Sequence, residues 1–175
     1  MRRSWLAIAV AALGFAVAGA TVQAAEIKVI STIGVKAGAP KPDISTPEAL
    51  KRTLLAAKTI GYSKPGASGV LFLKIVEQMG ITNEIAPKLV DAEVVGVAIA
   101  KGDAEIGIQQ IPELMAVPGV DIAGPLPGAF QVITTFSAGL DAKAKEKAAA
   151  EAFIKFLAAA GAGAVYKSKG LDPGV

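Results

Sequence analysis

Short apolar strands alternating with amphipathic helices predict an α/β sandwich on a largely parallel sheet. Three observations carry this. Strand-like and helix-like periods alternate along the chain, helix boundaries are marked by Pro47, Gly80 and Gly102, and no repeat recurs at a fixed period. With 53% hydrophobic residues in 175, the chain has apolar surface enough for one packed domain.

Taken in order, residues 26–31 (EIKVIS) alternate as a strand, and residues 32–43 read as a Gly/Pro/Lys loop containing Pro40 and Pro42. Thr46 caps a helix with Pro47 at its first position and Glu48 at the positive end of its dipole; the helix runs to about Ala57. Residues 59–63 form a strand, 64–68 a loop, and 69–79 a helix stopped by Gly80. A strand at 88–91, a helix at 93–101 stopped by Gly102, and a strand at 105–109 follow. Residues 111–116 make one or two helical turns, and 120–123 another strand. The Pro125-Leu126-Pro127-Gly128 loop leads into a β-branched strand at 130–136. A long amphipathic helix at 141–160 and a short one at 162–169 close the fold, before a Leu171–Gly174 tail.

The chain has no cysteine and no histidine. This removes disulfide frameworks, zinc sites built on those residues, and every Ser-His or Cys-His catalytic pair. Met1-Arg2-Arg3, the uncharged stretch from Trp5 to Ala20, and Val22 and Ala24 at the −3 and −1 positions form a cleavable export signal over residues 1–24. The apolar stretch is shorter than the roughly 20 residues that span a bilayer. Removing Arg2 and Arg3 leaves 16 basic against 15 acidic side chains, without a basic stripe, so nucleic acid is not the expected partner.

Ligands of such sheets sit outside the carboxyl ends of strands, beside helix N-termini. The turn Tyr62–Gly69 (YSKPGASG) offers Ser68 as an N-cap and the amides of Gly69, Val70 and Leu71 as first-turn donors for an anion. An ordinary capped helix in a surface loop explains the same spacing. The turn Val90–Val94 points a second helix off a strand, although Asp91 or Glu93 can satisfy that dipole internally. Gln109-Gln110, at a strand end, can donate to oxygen ligands, or can be a polar loop. Lys143, Lys145, Glu146, Lys147 and Glu151 form a solvated helix face. No Walker loop, dinucleotide fingerprint, paired catalytic carboxylates or metal-ligand cluster is present, and no cofactor is expected.

The runs TIGYSKPGASGVLFLKIVEQMGI and KLVDAEVVGVAIAKGDAEIGIQQ, with the ending FIKFLAAAGAGAVYKSKGLDPG, resemble the molybdate-type periplasmic solute-binding proteins of bacterial ABC importers. The likeness extends over about Pro40–Gly174. It implies the type II periplasmic-binding fold, two α/β lobes closing on an anion, with one largely complete lobe and one truncated lobe here. Residues 44–128 would form the second lobe, and 25–43 with 129–175 a remnant of the first. EIKVISTIGVK runs almost directly into GAPKPDIS, which implies an internal deletion in that first lobe.

The resemblance further implies a ligand held by Ser68, Gly69 and Val70, with Val94, Gln110 and Ser31 contributing. The ligand would be a molybdate-like oxyanion or a small organic acid. The protein would be a periplasmic monomer that serves a permease in the inner membrane and performs no chemistry. A tyrosine of the molybdate binders falls at about Gln110. One branch of relatives is known as aconitate isomerase, so an isomerase on the same scaffold is the alternative. Its general base would be Glu93, Lys64 or Tyr62.

Overall fold

A computed structural model describes residues 25–173. The expected export signal, residues 1–24, lies outside the described residues. The described residues form two sheets. The larger has the order β4 (Leu89–Asp91), β3 (Ile60–Tyr62), β5 (Ile106–Gln110), β2 (Ser31–Lys36), β6 (Val120–Pro125). The smaller has β7 (Thr134–Ala138), β1 (Ala25–Val29), β8 (Asp172–Pro173). Only Ile30 separates β1 from β2, so one extended segment leaves one sheet and enters the other.

The larger sheet is mixed rather than largely parallel. β4, β3 and β5 run parallel, but β2 lies antiparallel between β5 and β6. The reversal follows from the path: β2 carries the chain in from the smaller sheet, so it opposes the strands wound by helical crossovers. Residues 32–36 are therefore strand, not the loop that their glycine suggested. They also pair in the larger sheet, so that part of the 25–43 stretch does not lie with β1.

Gly34 serves packing instead of turning. A Cβ there would meet Ile99 and Leu114 side chains at 3.1 Å. Gly34, Gly107 and Gly61 lie side by side across β2, β5 and β3. A Cβ on Gly107 would come within 2.4 Å of Val95, and one on Gly61 within 3.1 Å of Val95 and Ala104. This row of bare backbone lets α4 (Val95–Lys101) settle directly on the sheet.

Helices cover both faces. On one, α1 (Pro47–Ala56), α2 (Ala67–Gln78) and α3 (Thr82–Ile85) bury Leu50, Leu54, Phe72, Ile75, Val76 and Ile85 against Ile33, Ile60, Ile106 and Ile108. On the other, α4 and α5 (Ile111–Met115) bury Val95, Ile99 and Leu114. Each such aliphatic side chain contributes about 1.5–3 kcal/mol when withdrawn from water. As expected, Thr46 caps α1, its hydroxyl accepting from the Ala49 amide at 3.1 Å. Gly102 ends α4 in the left-handed region, at φ 87°.

Three boundaries differ from expectation for local reasons. Residues 130–133 are not strand. Gln131 turns its side chain onto the Ser31 backbone, accepting its N–H at 3.3 Å and donating to its carbonyl at 3.2 Å. The helix expected from 141 begins only at α6 (Lys147–Ala158), because Asp141 closes its own turn by accepting the Lys143 amide at 2.7 Å. Ala159 is extended and divides α6 from α7 (Ala160–Ser168), which bend by 65° relative to one another. Among the described residues no single helix is long and apolar enough to cross a membrane, although this bent pair passes on length and composition.

Candidate functional site

A cleft of about 280 Å³ opens at the carboxyl ends of β3 and β5. It is lined by the β3–α2 turn, by Glu93 ahead of α4, by Gln109, Gln110 and Glu113 after β5, and by Phe136 of the smaller sheet. A hollow of about 320 Å³ at the other end of β5, lined mainly by Val35, Ala39, Pro40, Pro42, Ala56 and Ile106, brings no comparable set of donors together.

The β3–α2 turn is built by close backbone approach. The Gly66 amide donates to the Ser63 carbonyl at 3.0 Å, and Gly66, extended at ψ 149°, is the N-cap. Ser68 is therefore inside the helix and does not cap it; the first turn starts two residues earlier than expected. Gly69 sits against Ser63 so closely that a Cβ would lie 1.9 Å from its carbonyl oxygen. The Val70 amide donates to Gly66 at 3.0 Å and is spent on the helix. The first-turn amides left without an intrahelical acceptor are those of Ala67, Ser68 and Gly69. Ser63 and Ser68 are both buried beside them.

The second turn contributes differently. Asp91 does not serve α4; its carboxylate accepts the Lys64 amide at 3.0 Å and ties the two turns together. The Ala92 amide donates to the Tyr62 carbonyl at 2.9 Å. Val94 is the N-cap of α4 with its side chain half exposed, and the residue reaching the cleft is its neighbour Glu93.

Alternation along β5 sends its two terminal amides to opposite faces. Gln110 shares the face of Ile106 and Ile108, toward α2, whereas Gln109 shares that of Gly107, toward α4. Both are buried. The Gln110 amide donates to Glu113 at 3.3 Å, which fixes the start of α5. Gln109 Oε1 is buried with no hydrogen-bond partner. Ser31 pairs in register with Gln110 and is buried, but it is clasped by Gln131 and does not line the cleft.

The structure thus brings Ser68 and Gln110 into one cleft and leaves Val70, Val94 and Ser31 outside its wall. Gly69 has no side chain to line the wall; it permits the turn, and its backbone amide is one of the three first-turn donors without an intrahelical acceptor. Of the candidate bases, Glu93 lines the cleft, Lys64 is exposed in the turn, and Tyr62 is buried against Phe72. Sequence reasoning did not single out Ser63, Ala67, Glu113 or Phe136. Ser63 was legible as the last residue of a strand before a glycine turn. Phe136 reaches the cleft only through the pairing of β7 with β1. No group of three or more acidic side chains that could hold a metal ion occurs among the described residues.

The chain matches the family model of bacterial extracellular solute-binding proteins over residues 2–172. It is 39% identical, over 144 residues, to an aconitate isomerase from Pseudomonas sp.; the match covers 81% of this chain and 55% of that protein. Its fold is similar to the periplasmic molybdate-binding protein of Azotobacter vinelandii, with a TM-score of 0.60, 20% identity, and coverage of 82% of this chain and 65% of that one. It is also similar to a tungstate-binding protein of Desulfovibrio alaskensis, with a TM-score of 0.56, 12% identity, and coverage of 86% and 69%. The chain therefore spans about half the length of its curated relative and about two thirds of these solved structures. The fold is of the periplasmic-binding-protein type, and the chain belongs to the bacterial extracellular solute-binding proteins.

Proposed function

We propose that the protein holds a small anionic solute, an oxyanion or organic acid, in the cleft at the N-terminus of α2. It would do so in the periplasm, as a monomer, and pass the solute to an ABC permease. The observation that carries this is the conjunction of three unclaimed first-turn amides with buried Ser63, Ser68, Gln109 and Gln110 in one cleft. Neutral donors and a helix dipole stabilise an anion without a countercharge. Ser68, Ala67, Gly69 and Gln110 are the proposed donors, and Val94, Val70 and Ser31 support the surrounding backbone.

We read the larger sheet as the second ligand-binding lobe and the smaller as a remnant of the first, shortened by an internal deletion. The 55% and 65% coverage of longer relatives supports this. An export signal at residues 1–24 agrees with the family's extracellular placement. Calorimetric titration with molybdate, tungstate, sulfate and tricarboxylates tests the reading. Saturable heat with any of them is the expected result, and no heat at protein concentrations well above micromolar would refute it.

The 39% identity to an aconitate isomerase favours a second reading, in which the same cleft shifts a double bond in an unsaturated tricarboxylate. Glu93 is then the proposed base, because its carboxylate is on the cleft wall. Ultraviolet monitoring of cis- and trans-aconitate decides it: a rate above buffer that Glu93→Gln abolishes supports the enzyme, and a rate equal to buffer removes it.

A further inference from the structure

We propose that Gln131 is a positioning residue: its side-chain amide braces the two chain segments that join the sheets, and so holds the smaller sheet, with Phe136, on the cleft wall. Such a brace acts whichever solute the cleft takes. Among the described residues the chain passes between the sheets at two places, at Ile30 between β1 and β2 and over residues 126–133 between β6 and β7. The helices keep to their own sheets. α1 to α5 pack on the larger one, and α6 and α7 lie on β1 and β8.

The first passage is held through its backbone from both sides. The Ile30 carbonyl accepts the amide of Ile111, the first residue of α5, at 3.0 Å. Alternation turns the backbone groups of Ser31 the other way, toward the edge that β6 covers. But β6 ends at Pro125, which pairs with Thr32, so no strand continues beside Ser31. The Gln131 amide takes that place. Its Oε1 accepts the Ser31 N–H at 3.3 Å, and its Nε2 donates to the Ser31 carbonyl at 3.2 Å, as the backbone of a neighbouring strand would. Gln131 itself belongs to the second passage, in a turn closed by the Phe130 amide on the Pro127 carbonyl at 2.8 Å. The strand that follows is β7, which carries Phe136 to the cleft. One side chain therefore ties the second passage to the first by two bonds, and two bonds fix a direction as well as a distance. Gly170, after α7, also meets the larger body, at Ile111 and Met115, but that contact is apolar and non-directional.

The test measures distances between the sheets. The chain has no cysteine, so introduced ones carry spin labels without competition. In the full chain, Lys74→Cys on α2 with Glu151→Cys on α6 spans the two sheets; Lys74→Cys with Lys101→Cys on α4 stays within the larger one, and all three positions are exposed. Pulsed electron–electron resonance should give one narrow distance distribution for each pair while Gln131 is present. Gln131→Met keeps the side-chain length and removes both bonds, which raises the population of other sheet orientations by about ten-fold. The distribution between the sheets should then broaden or shift, and the one within the larger sheet should not. The proposal is overturned if a folded Gln131→Met keeps the original distribution between the sheets, if both pairs broaden together, or if the sheets already sample many distances with Gln131 in place. A purely stabilising role would lower the melting temperature and leave the folded-state distances unmoved. If Gln131→Met does not melt cooperatively, Gln131→Asn, one methylene short of spanning both bonds, is measured with the same expectations. No solute enters the experiment, so its failure and the failure of the anion-binding reading are separate results.

Discussion

The two sheets are built from similar strands but are covered to very different degrees. The five-stranded sheet has helices on both faces and buries Ile33, Leu50, Leu54, Phe72, Ile99 and Leu114 almost completely. The three-stranded sheet has α6 and α7 beside it, and of their side chains only Ile154 is buried, while Phe153, Phe156 and Val165 are more than half exposed. The difference teaches where folding free energy resides. The cleft walls contributed by the start of α2, by β5 and by α5 stand on the well-packed part, whereas Phe136 enters the cleft from the thinly covered part. Truncating one phenylalanine in each region gives the largest contrast. Phe72→Ala removes a ring that is 1% exposed and packs 6.2 Å from Tyr62, and it should destabilise by about 3–5 kcal/mol. Phe153→Ala, at 60% exposure, should change stability by no more than about 0.5 kcal/mol. Urea denaturation of both variants checks the pair; equal effects would break the comparison.

Glycine substitutions sharpen it in the opposite direction. Gly69→Ala places a methyl 1.9 Å from the Ser63 carbonyl, a backbone atom that no rotamer change can move. The β3–α2 turn must open, at a cost of about 1–3 kcal/mol or more. Because Ser63 and Ser68 flank that contact, any anion binding should be lost with it. Gly163→Ala, in α7, adds a methyl at an ordinary 3.7 Å from Pro173 and should stabilise by about 0.5–1 kcal/mol. Thermal melts of the two variants should therefore move in opposite directions, and a shared sign would show that the two regions are constrained alike.

Most of the larger sheet was legible because its signals are local. Thr46-Pro47-Glu48 announces a helix start, Gly102 announces a stop, and the apolar periods of α1, α2 and β5 agree with the fold. What escaped depends on contacts far apart in sequence. Gly34 looks like a turn residue until α4 and α5 are seen to press on it. Residues 130–133 include the β-branched Val132 and Ile133, yet Gln131 is drawn out of the strand by Ser31, a hundred residues earlier. The candidate site was partly legible: the glycine turn and the paired glutamines mark its place. The donor set shifted, because the N-cap is a glycine with no side chain to advertise it. The unpartnered oxygen of Gln109 is set by how the strands and helices pack around it, which no motif encodes.

Helix caps extend the contrast at a smaller scale. Thr46 holds the Ala49 amide at 3.1 Å, and Thr46→Ala should cost about 1 kcal/mol. Glu146, at the head of α6, makes no capping hydrogen bond. Glu146→Ser installs one and should stabilise α6 by about 0.5–1 kcal/mol. Amide hydrogen exchange in α1 and α6 resolves the two effects by location. Slower exchange confined to α6 in Glu146→Ser is expected; no change there would mean that packing, not the missing cap, limits the smaller region.

The smallest expected effect concerns acid stability at the entry to α1. Asp43 accepts the Ser45 amide at 3.0 Å and the Ser45 hydroxyl at 2.7 Å. The amide first, then the hydroxyl, hold its carboxyl below the ordinary aspartate value, with Arg52 adding a little and slight desolvation opposing. A folded-state value below the unfolded one binds fewer protons in the fold, so the stabilisation is complete above the unfolded value of about 3.9. It is lost as the pH falls through the lower folded value. The carboxylate is fully exposed, so the effect is small. Asp43→Asn should therefore leave a small stability deficit that is constant from about pH 5 to 8 and shrinks below about pH 4, measured by urea denaturation at each pH. A deficit that grows in acid would reverse the sign, and would show that the two Ser45 donors do not favour the charged form of Asp43.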